Sequence, residues 1–537
     1  MTGSGTRSDD DRYSAWAALH HAMADSPQHY PVNEWRYRHP LASAIDPAMD
    51  LWPLIKTLYM VGACHRVHAD APDKPAAQIS PLVPAPRARS PALPPTTRML
   101  WPNLDCEVLM LGSSVGNHAI AGYCSQHHLD PLREALSRCG LRTSTLLTDV
   151  TAEAAQHVPT LLGRTLGGAR ILRAIQSHLP PVDSFALADL VGFNAWHADI
   201  SALYPLDHVL ARPGLEEIIE KIYSTAYCLS RFFAQQALKA VIGYCYYGVI
   251  GFAAALACRS LGIPFFDMQH GSAGRHHHCY DWPGMPVGGY NTLPSHFLCW
   301  SAVESHAIER CASKYGPKAL SVGHSWQLME QLLLASGTGH GVARYVSSTI
   351  KDHYKSACLL ASQRKATRAA AGLTTVLLTL RADEDVAWLV PLLTEAGSNF
   401  HFLIRLHPAE SRDAARLAQR VAALETPTVE VTRPSRLPMS VLLRECSLNL
   451  TACSSSVLDA LAFGMPSLCY AWSSRWFYSP DQYAQVQIVA PEIGALSAAL
   501  HARRAADSAP RSPPPCLSLS NLGGQLVAEI LTMRATN

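Results

Sequence analysis

The sequence predicts an α/β protein built from two doubly wound, Rossmann-like domains that face each other across a cleft. Apolar, strand-like runs alternate with helical segments from about residue 104 to residue 480, as they do in parallel sheets covered by helices. The alternation falls into two series, and the second begins near residue 318. A chain of 537 residues is also too long for one ordinary domain.

In the first series, turn and cap residues separate the predicted elements. The helix at 130–140 starts with Asp130 and Pro131 and ends at Gly140, which are typical start and stop residues. The other elements are strands at 106–112, 142–149, 240–247 and 263–271, the strand SHFLCWS, helices at 214–238 and 249–260, and a helix after Ser301.

The second series is predicted to open with the strand and glycine turn KALSVGHS at 318–325. Strands follow at 374–380, 401–408 and 447–452 and in PSLCYAW, with helices at 383–397, 411–425 and 521–534 and in SSVLDALAFG. Four parts are therefore expected: an extension with a Pro-rich linker at 1–103, a first domain at 104–315, a second domain at 316–480, and a tail with a helix at 481–537.

Composition excludes some classes of protein. With 44 Lys and Arg against 42 Asp and Glu, the chain lacks the basic surface of a nucleic-acid partner. The uncharged run at 240–258 approaches the length of a membrane span, but glycines interrupt it, so we predict a buried strand and helix. Fifteen scattered cysteines and a polar N-terminus predict a reducing, cytoplasmic location.

Candidate site residues follow strands, where open α/β sheets bind ligands. In RLHPAE, Arg405 and His407 alternate along a strand and share a face, and Pro408 restricts the turn. Ser454–Ser456 stand where a strand ends and a helix begins, a position that suits both capping and phosphate binding.

The third candidate is the loop FFDMQHGSAGRHHHCYDWPGMP at 265–286. An imidazole at the end of a strand, here His270, can act as an acid or donate to an anion. Glycines such as Gly271 and Gly274 let the backbone approach a ligand closely. The triplet His276–His278 is not expected to bind a metal, because adjacent residues rarely converge on one ion and no zinc-type spacing supports it.

The order strand-QHG, strand-HP and strand-SSS-helix-G-x-P over residues 104–475 resembles a GT-B glycosyltransferase of bacterial capsule or lipopolysaccharide assembly. The second half is similar to the nucleotide-sugar-binding domain of enzymes that use cytidine-activated donors: sialyltransferases, Kdo transferases and CDP-glycerol polymerases. The first half resembles surface-polysaccharide proteins in VLMLGSSVGNH, Asp130, Tyr280 and Pro294.

The resemblance implies a donor that is a nucleotide sugar, with a glycan or lipid-linked glycan acceptor held by the first domain. It implies no metal or other cofactor, and it leaves open an association with the inner face of the cytoplasmic membrane. The implied donor-binding residues are Arg405, His407, Pro408, Ser454, Ser455, Ser456, Gln269, Gly271 and Gly323.

The other half-reaction calls for a base or a nucleophile, usually a carboxylate. Asp189 and Asp199, in apolar and aromatic surroundings, are the predicted catalytic carboxylates, with His270 as a catalytic partner. Asp267 and Asp281 are further candidates, although Asp267 is expected to support its neighbours.

The acidic D/E-D/E-G motif of the sialyltransferases is missing, since the run at 383–385 lies in the other half and no glycine follows it. Three alternatives therefore stay open: a transferase of CDP-linked polyol phosphate, a nucleotide-sugar epimerase, and an inactive nucleotide-binding scaffold.

Overall fold

A computed structural model gives the structure of this chain. It describes residues 9–38, 48–68, 104–113, 117–120, 123–148, 165–167, 185–203, 212–274, 277–311, 314–334, 346, 348–380, 387–406, 419–424, 426–506 and 516–536. The Pro-rich linker, the acidic run at 383–385, His276, His407 and Pro408 lie outside the described residues.

The N-terminal extension is part of the first hydrophobic core. It contains α1 (Asp9–His29), β1 (Arg36–Tyr37), β2 (Met49–Asp50) and α2 (Trp52–His68). Trp16, Trp35 and Trp52 are almost fully buried, in one cluster with Phe193 and Trp196 of the first domain. Because each buried aromatic ring removes a large apolar area from water, the extension stabilises the first domain.

The first domain is a seven-stranded parallel sheet with the spatial order β11-β10-β9-β8-β3-β6-β7. Its elements are β3 (Val108–Gly112), β4 (Asn117–Ile120), β5 (Tyr123–Gln126), α3 (Asp130–Arg138), β6 (Thr143–Leu147), β7 (Thr165–Gly167), α4 (Phe193–Leu203), α5 (Arg212–Ala234), β8 (Ala240–Tyr244), α6 (Val249–Ser260), β9 (Phe265–Met268), β10 (His296–Cys299), α7 (Ala302–Cys311) and β11 (Lys318–Ser321). The strand order reverses between β3 and β8.

Two helices, α8 (Ser325–Leu334) and α9 (Ser348–Ala370), lead to a six-stranded parallel sheet with the order β14-β13-β12-β15-β16-β17. Its elements are β12 (Thr374–Leu380), α10 (Leu389–Ala396), β13 (Phe400–Leu406), β14 (Val429–Glu430), α11 (Thr432–Arg436), α12 (Met439–Glu445), β15 (Leu448–Thr451), α13 (Ser456–Ala462), β16 (Ser467–Cys469), α14 (Ser474–Phe477), β17 (Val486–Ile488), α15 (Ile493–Ala506) and α16 (Leu519–Thr536).

Both sheets have the doubly wound order, with the first strand of each series next to the fourth. The predicted α/β fold of two Rossmann-like domains, the GT-B architecture, is confirmed. In such sheets the crevice for a ligand opens where the strand order reverses, at the carboxyl ends of the strands. That rule gives one crevice between β3 and β8 and a second between β12 and β15.

The strand at Lys318–Ser321 belongs to the first sheet, whereas the sequence analysis placed it in the second domain. It pairs in parallel with β10, where Phe297 is opposite Ala319. An apolar run identifies a strand but not its partner, so the predicted boundary at residue 316 falls too early.

The predicted tail at 481–537 is divided between the two domains. Strand β17 pairs with β16, and α15 contributes Leu496 and Leu500 to the core of the second sheet. Helix α16 returns to the first domain, where Gly523 lies so close to Ala135 of α3 that a Cβ would be 2.3 Å from its carbonyl oxygen.

The uncharged run at 240–258 forms β8 and α6, as predicted, and the helix occupies Val249–Ser260. Its residues from Phe252 to Cys258 are buried in the first core. Among the helices that the structure describes, none combines the length and the apolar character that crossing a bilayer requires.

Candidate functional site

Polar side chains lie at the crevice of the second sheet. In the strand register, Thr379 at the end of β12 is opposite Arg405 of β13 and Thr451 of β15. The Oγ1 atom of Thr379 is 2.8 Å from Oγ1 of Thr451 and 2.9 Å from Oγ of Ser456. The serine segment Ser454–Ser456 therefore lies over the reversal point between β12 and β15.

The three serines of this segment differ in their contacts. The hydroxyl of Ser454 accepts a hydrogen bond from the backbone N–H of Ser456 at 3.2 Å. The hydroxyl of Ser456 is buried and bonds to Thr379. Ser455 is partly exposed, and its hydroxyl caps no backbone N–H of α13. Ser454 and Ser455 are both partly exposed, and among the described contacts Ser455 is the one whose hydroxyl makes no hydrogen bond within the segment.

The loop after β9 lies at the edge of the first sheet. Its Gln269 is buried, and backbone groups use both ends of the amide: Oε1 accepts from the N–H of Trp300 at 2.6 Å, and Nε2 donates to the carbonyl of Gly271 at 2.8 Å. The sequence predicts that Gln269 contacts the donor. In the structure, it instead fixes the course of the loop.

His270 follows Gln269 and has one ring nitrogen in use. Its Nε2 lies 2.9 Å from the hydroxyl of Tyr247, and its Nδ1 is buried without a hydrogen bond to any described residue. Burial lowers the pKa of His270 from its ordinary value to about 4, because an apolar environment disfavours the charged imidazolium. The ring is therefore neutral at neutral pH and can accept a proton.

The turn after β8 supports His270. Tyr247 lies two residues after Cys245, whose backbone has a φ of 60°. Asp267 is fully buried and accepts a hydrogen bond from the N–H of Tyr246 at 2.9 Å. Burial raises the pKa of Asp267 well above its ordinary value, and its hydrogen bond to the backbone fits the expected supporting role.

The crevice of the first sheet is bridged by two hydroxyls. Ser113, after β3, lies 2.7 Å from the hydroxyl of Tyr244 at the end of β8. The ring of Tyr244 is 6.2 Å from that of His270. His270 therefore belongs to the crevice that the strand order predicts.

The two crevices meet across the domain interface. A Cβ built on Gly271 would lie 3.9 Å from Cβ of Ser455. The ring of His277 is 6.0 Å from that of Phe477. The structure thus brings the His270 loop and the serine segment together, as the prediction of facing domains requires.

Arg405 occupies a different position from the one expected of a donor-binding residue. It is buried, and its Nη1 donates to the carbonyls of Pro434 at 3.0 Å and Leu437 at 2.5 Å. Burial lowers the pKa of Arg405 to about 10, and Asp459 opposes this shift. The guanidinium fixes the connection between α11 and α12. His407 and Pro408, its predicted partners, lie outside the described residues.

Gly323 also packs against protein rather than facing an opening. Its φ is 101°, a conformation that favours glycine, and a Cβ there would lie 2.5 Å from Sγ of Cys516. Residue 323 is therefore a glycine because it packs closely against the segment that leads into α16. The expected donor contact of Gly323 has no counterpart among its described neighbours.

The predicted catalytic aspartates are on the surface. Asp189 ends the 3-10 helix Leu187–Asp189 and is exposed. Asp199 is an exposed residue of α4 that accepts a hydrogen bond from the hydroxyl of Tyr30 in the extension. The aromatic residues Phe193 and Trp196 of α4 are buried in the core, so Asp199 lies on the outer side of this helix. The expected apolar surroundings are therefore wrong for both aspartates. Asp281 is buried, 3.8 Å from Nε2 of His20.

His277, His278 and Cys279 converge more closely than adjacent residues were expected to do. Their ligand atoms lie within 4.8 Å of one another. Nδ1 of His277 accepts a hydrogen bond from the N–H of Cys279 at 3.3 Å, so of its two ring nitrogens only Nε2 would be available to a metal.

Three residues at the interface were not singled out from the sequence. Thr379 ends an apolar strand, Tyr247 follows β8, and Asp459 lies four residues after Ser455, on the same side of α13. Asp459 is 3.2 Å from Nε2 of His324, which follows the Gly323 turn. The four-residue spacing of Ser455 and Asp459 is visible in the sequence and places both on one side of the helix. The sequence does not show that the partner of Asp459 comes from the other domain.

The chain matches no protein-family model, and no curated protein matches it in sequence. Solved structures with a similar fold include a UDP-GlcNAc 2-epimerase from Neisseria meningitidis bound to UDP-GlcNAc, with a TM-score of 0.44, 13% identity, and coverage of 79% of this chain and 99% of that one. A UDP-glucosyltransferase from Polygonum tinctorium has a TM-score of 0.39 and 13% identity over 80% of this chain and 99% of that one.

The wall teichoic acid polymerase TagF is similar at a TM-score of 0.38 and 10% identity, over 80% of this chain and 90% of that one. At these identities and TM-scores the likeness concerns the fold, and it does not indicate a substrate or a reaction for this chain.

Proposed function

We propose that this chain is a glycosyltransferase that moves a sugar from a cytidine-linked nucleotide donor to a hydroxyl of a glycan or lipid-linked glycan acceptor. The proposal depends mainly on one observation, the 3.9 Å approach of the Gly271 Cβ position to Ser455 between the two sheet crevices. A donor held by one domain and an acceptor held by the other would react at that point.

On the donor side, the partly exposed hydroxyl of Ser455 is proposed to donate to the donor phosphate. Departure of the nucleotide places negative charge on that phosphate, and donors that are already in position stabilise it in the transition state. His407 and Pro408 are proposed as further contacts on the strength of the HP motif alone, and the same motif supports a sugar such as Kdo or sialic acid. The donor side calls for no metal or other cofactor.

On the acceptor side, His270 is proposed as the general base. We assign the ring proton of His270 to Nε2, where it donates to the oxygen of Tyr247 at 2.9 Å; this assignment leaves the lone pair on Nδ1. The acceptor oxygen bonds to the anomeric carbon, the bond from that carbon to the phosphate oxygen breaks with its electron pair, and Nδ1 takes the acceptor proton.

The aspartates fit the role of base less well than His270 does. Asp267 is fully buried and accepts a hydrogen bond from the N–H of Tyr246, so its carboxyl supports the turn after β8. Asp189 and Asp199 are exposed, and Asp199 is already bonded to Tyr30. A base must lie within hydrogen-bond reach of the proton that it removes, and of these candidates His270 is next to the serine segment.

The test is incubation of the full chain with CMP-Kdo, CMP-sialic acid, CDP-glycerol and UDP-GlcNAc, with and without glycan acceptors. Release of CMP from a CMP-sugar that depends on the acceptor supports the proposal. His270→Asn and Ser455→Ala should abolish or strongly reduce it, and Asp199→Asn should not.

Other results would identify another function. Release of CMP from CDP-glycerol alone would indicate polyol-phosphate transfer, and isomerisation of UDP-GlcNAc would indicate an epimerase. Nucleotide binding without any turnover would indicate a scaffold. Each of these outcomes contradicts the proposal.

A further inference from the structure

A closed ring of contacts joins the His270 loop to the serine segment by way of the connection between the domains. We propose that His324 is a positioning residue that keeps the two segments in register across the interface. We call this ring the cleft ring, and its members are Ser455, Gly271, Gln269, Trp300, His324 and Asp459. The consequence for turnover rests on the proposed function, whereas the coupling itself does not.

The first link joins Gly271 to the end of β10. The amide of Gln269 bridges the carbonyl of Gly271 and the N–H of Trp300, and the side chain is 2% exposed. Buried amide bonds of this kind are costly to leave unmade, so the course of the loop follows the position of Trp300.

The second link joins Trp300 to the connection that leaves the first sheet. Its ring is 4.1 Å from the ring of His324. Its Nε1 donates to the hydroxyl of Ser325, the first residue of α8, at 3.0 Å. Trp300 therefore transmits the position of His324 to the loop.

The third link crosses between the domains. Nε2 of His324 lies 3.2 Å from Oδ1 of Asp459, and both side chains are buried. The backbone N–H of Asp459 donates to the carbonyl of Ser455 at 3.2 Å. Asp459 is thus one helical turn from the serine that faces Gly271, which closes the ring.

The His324–Asp459 contact is sensitive to small displacements. The two atoms are at ion-pair distance, yet Nε2 of His324 makes no aligned hydrogen bond to any described residue. Arg405 faces Asp459 from β13. Because a hydrogen bond depends steeply on its angle, a small rotation of α13 would either align these two groups or separate them.

Helix α8 and the residue just before it contact α13 near both of its ends. Gln327 donates from Nε2 to the carbonyl of Ala462 at 2.6 Å, at the last turn of α13. His324, just before α8, holds the first turn. The serine segment and the connection between the domains are therefore expected to move as one unit, and of these two contacts that of His324, at Asp459, is nearer to Ser455 along α13 than that of Gln327, at Ala462.

A positioning role predicts a split between binding and turnover. Under the proposed function the nucleotide binds to the second domain, so loss of His324 should change the Kd of the nucleotide by about twofold or less. Misalignment of the His270 loop should instead lower kcat by about tenfold or more. A residue that bound the donor directly would instead raise Kd.

The experiment compares His324→Ala, His324→Gln and Asp459→Asn in the full chain by hydrogen–deuterium exchange and by calorimetry with CMP. The matched control is His296→Ala. His296 is also a buried histidine paired with a carboxylate, 3.5 Å from Glu529, but it lies outside the cleft ring.

We expect His324→Ala and Asp459→Asn to raise exchange in both 268–272 and 453–460, His324→Gln to restore most of the protection, and His296→Ala to leave both segments unchanged. The double variant His324→Ala/Asp459→Asn should show no more exchange in these segments than His324→Ala alone, because both changes remove the same contact. Exchange that rises only around residue 324, or equally in the control, would overturn the proposal. If the unmodified chain neither binds CMP nor turns over a donor, the proposed function fails, but the exchange data still decide the coupling.

Discussion

The Cβ position of Gly271 lies 3.9 Å from Cβ of Ser455, so a residue of the first domain and a residue of the second meet with the room of one methyl group between them. Gly271 contributes no side chain to this contact. The absence of a side chain keeps the hydroxyl of Ser455 accessible, and substitution at this position measures how much space the substrates need.

We expect Gly271→Ala to be tolerated, because its methyl group would be in ordinary contact with Ser455. Gly271→Leu should weaken nucleotide binding by about tenfold, or about 1.4 kcal/mol, as the larger side chain fills the interface. Calorimetry with CMP measures the effect. Gly214→Leu is the control, since nothing lies within 4 Å of a Cβ there. Equal affinities for the leucine variant and the parent chain would place the ligand elsewhere.

Ser455 and Ser456 should respond in opposite ways to replacement by alanine. Ser456→Ala leaves the buried hydroxyl of Thr379 with one partner fewer, so we expect it to lower the free energy of unfolding by about 1 kcal/mol. Ser455→Ala removes a hydroxyl that caps no backbone group, so stability should be unchanged and donor turnover should fall. Urea denaturation and product release, measured on both variants, separate the two roles. A stability loss for Ser455→Ala would contradict this division.

The loss of activity at acid pH should occur at a lower pH than for an ordinary histidine base. Because burial lowers the pKa of His270 to about 4, a base of this kind is lost only as the pH falls toward 4, rather than near 6.5. We expect kcat/KM for donor and acceptor to fall on the acid side with an apparent pKa near 4. A limb near 6.5 that persists in His270→Asn would exclude His270 as the base.

The same shift predicts a dependence of stability on pH. The unfolded chain takes up a proton at His270 near pH 6.5, whereas the folded chain does so only near pH 4, so protonation favours unfolding as the pH falls through this window. The parent chain should therefore lose more stability between pH 7 and pH 5 than His270→Asn does. Thermal unfolding of both at the two pH values checks this, and parallel curves would show that the ring is not buried in solution.

Arg405 should prove to be structural. Its replacement by methionine would leave the carbonyls of Pro434 and Leu437 without their buried donor, and we expect a loss of about 3 kcal/mol from the unfolding free energy of the second domain. Arg405→Lys should recover part of this loss. Denaturation measures it, and a variant with normal stability but impaired CMP binding would restore Arg405 to the donor site.

Much of the site was predictable in position but not in detail. The rule that ligands bind after strands led to the His270 loop and to Ser454–Ser456, and the structure brings these segments together. The same rule selected Arg405 and Gln269, whose polar groups prove to be used by the backbone. A sequence shows which polar groups exist, but their hydrogen bonds depend on neighbours that are distant along the chain.

The sequence by itself determined the alternation of strands and helices, the two series, and the run at 240–258 as strand plus helix, because side-chain periodicity and cap residues act over a few positions. The tertiary structure alone decided that Lys318–Ser321 joins the first sheet, that Asp199 faces solvent, and that Gly271 meets Ser455. These outcomes depend on strand pairing and on packing between residues far apart in sequence, and local sequence patterns do not determine either.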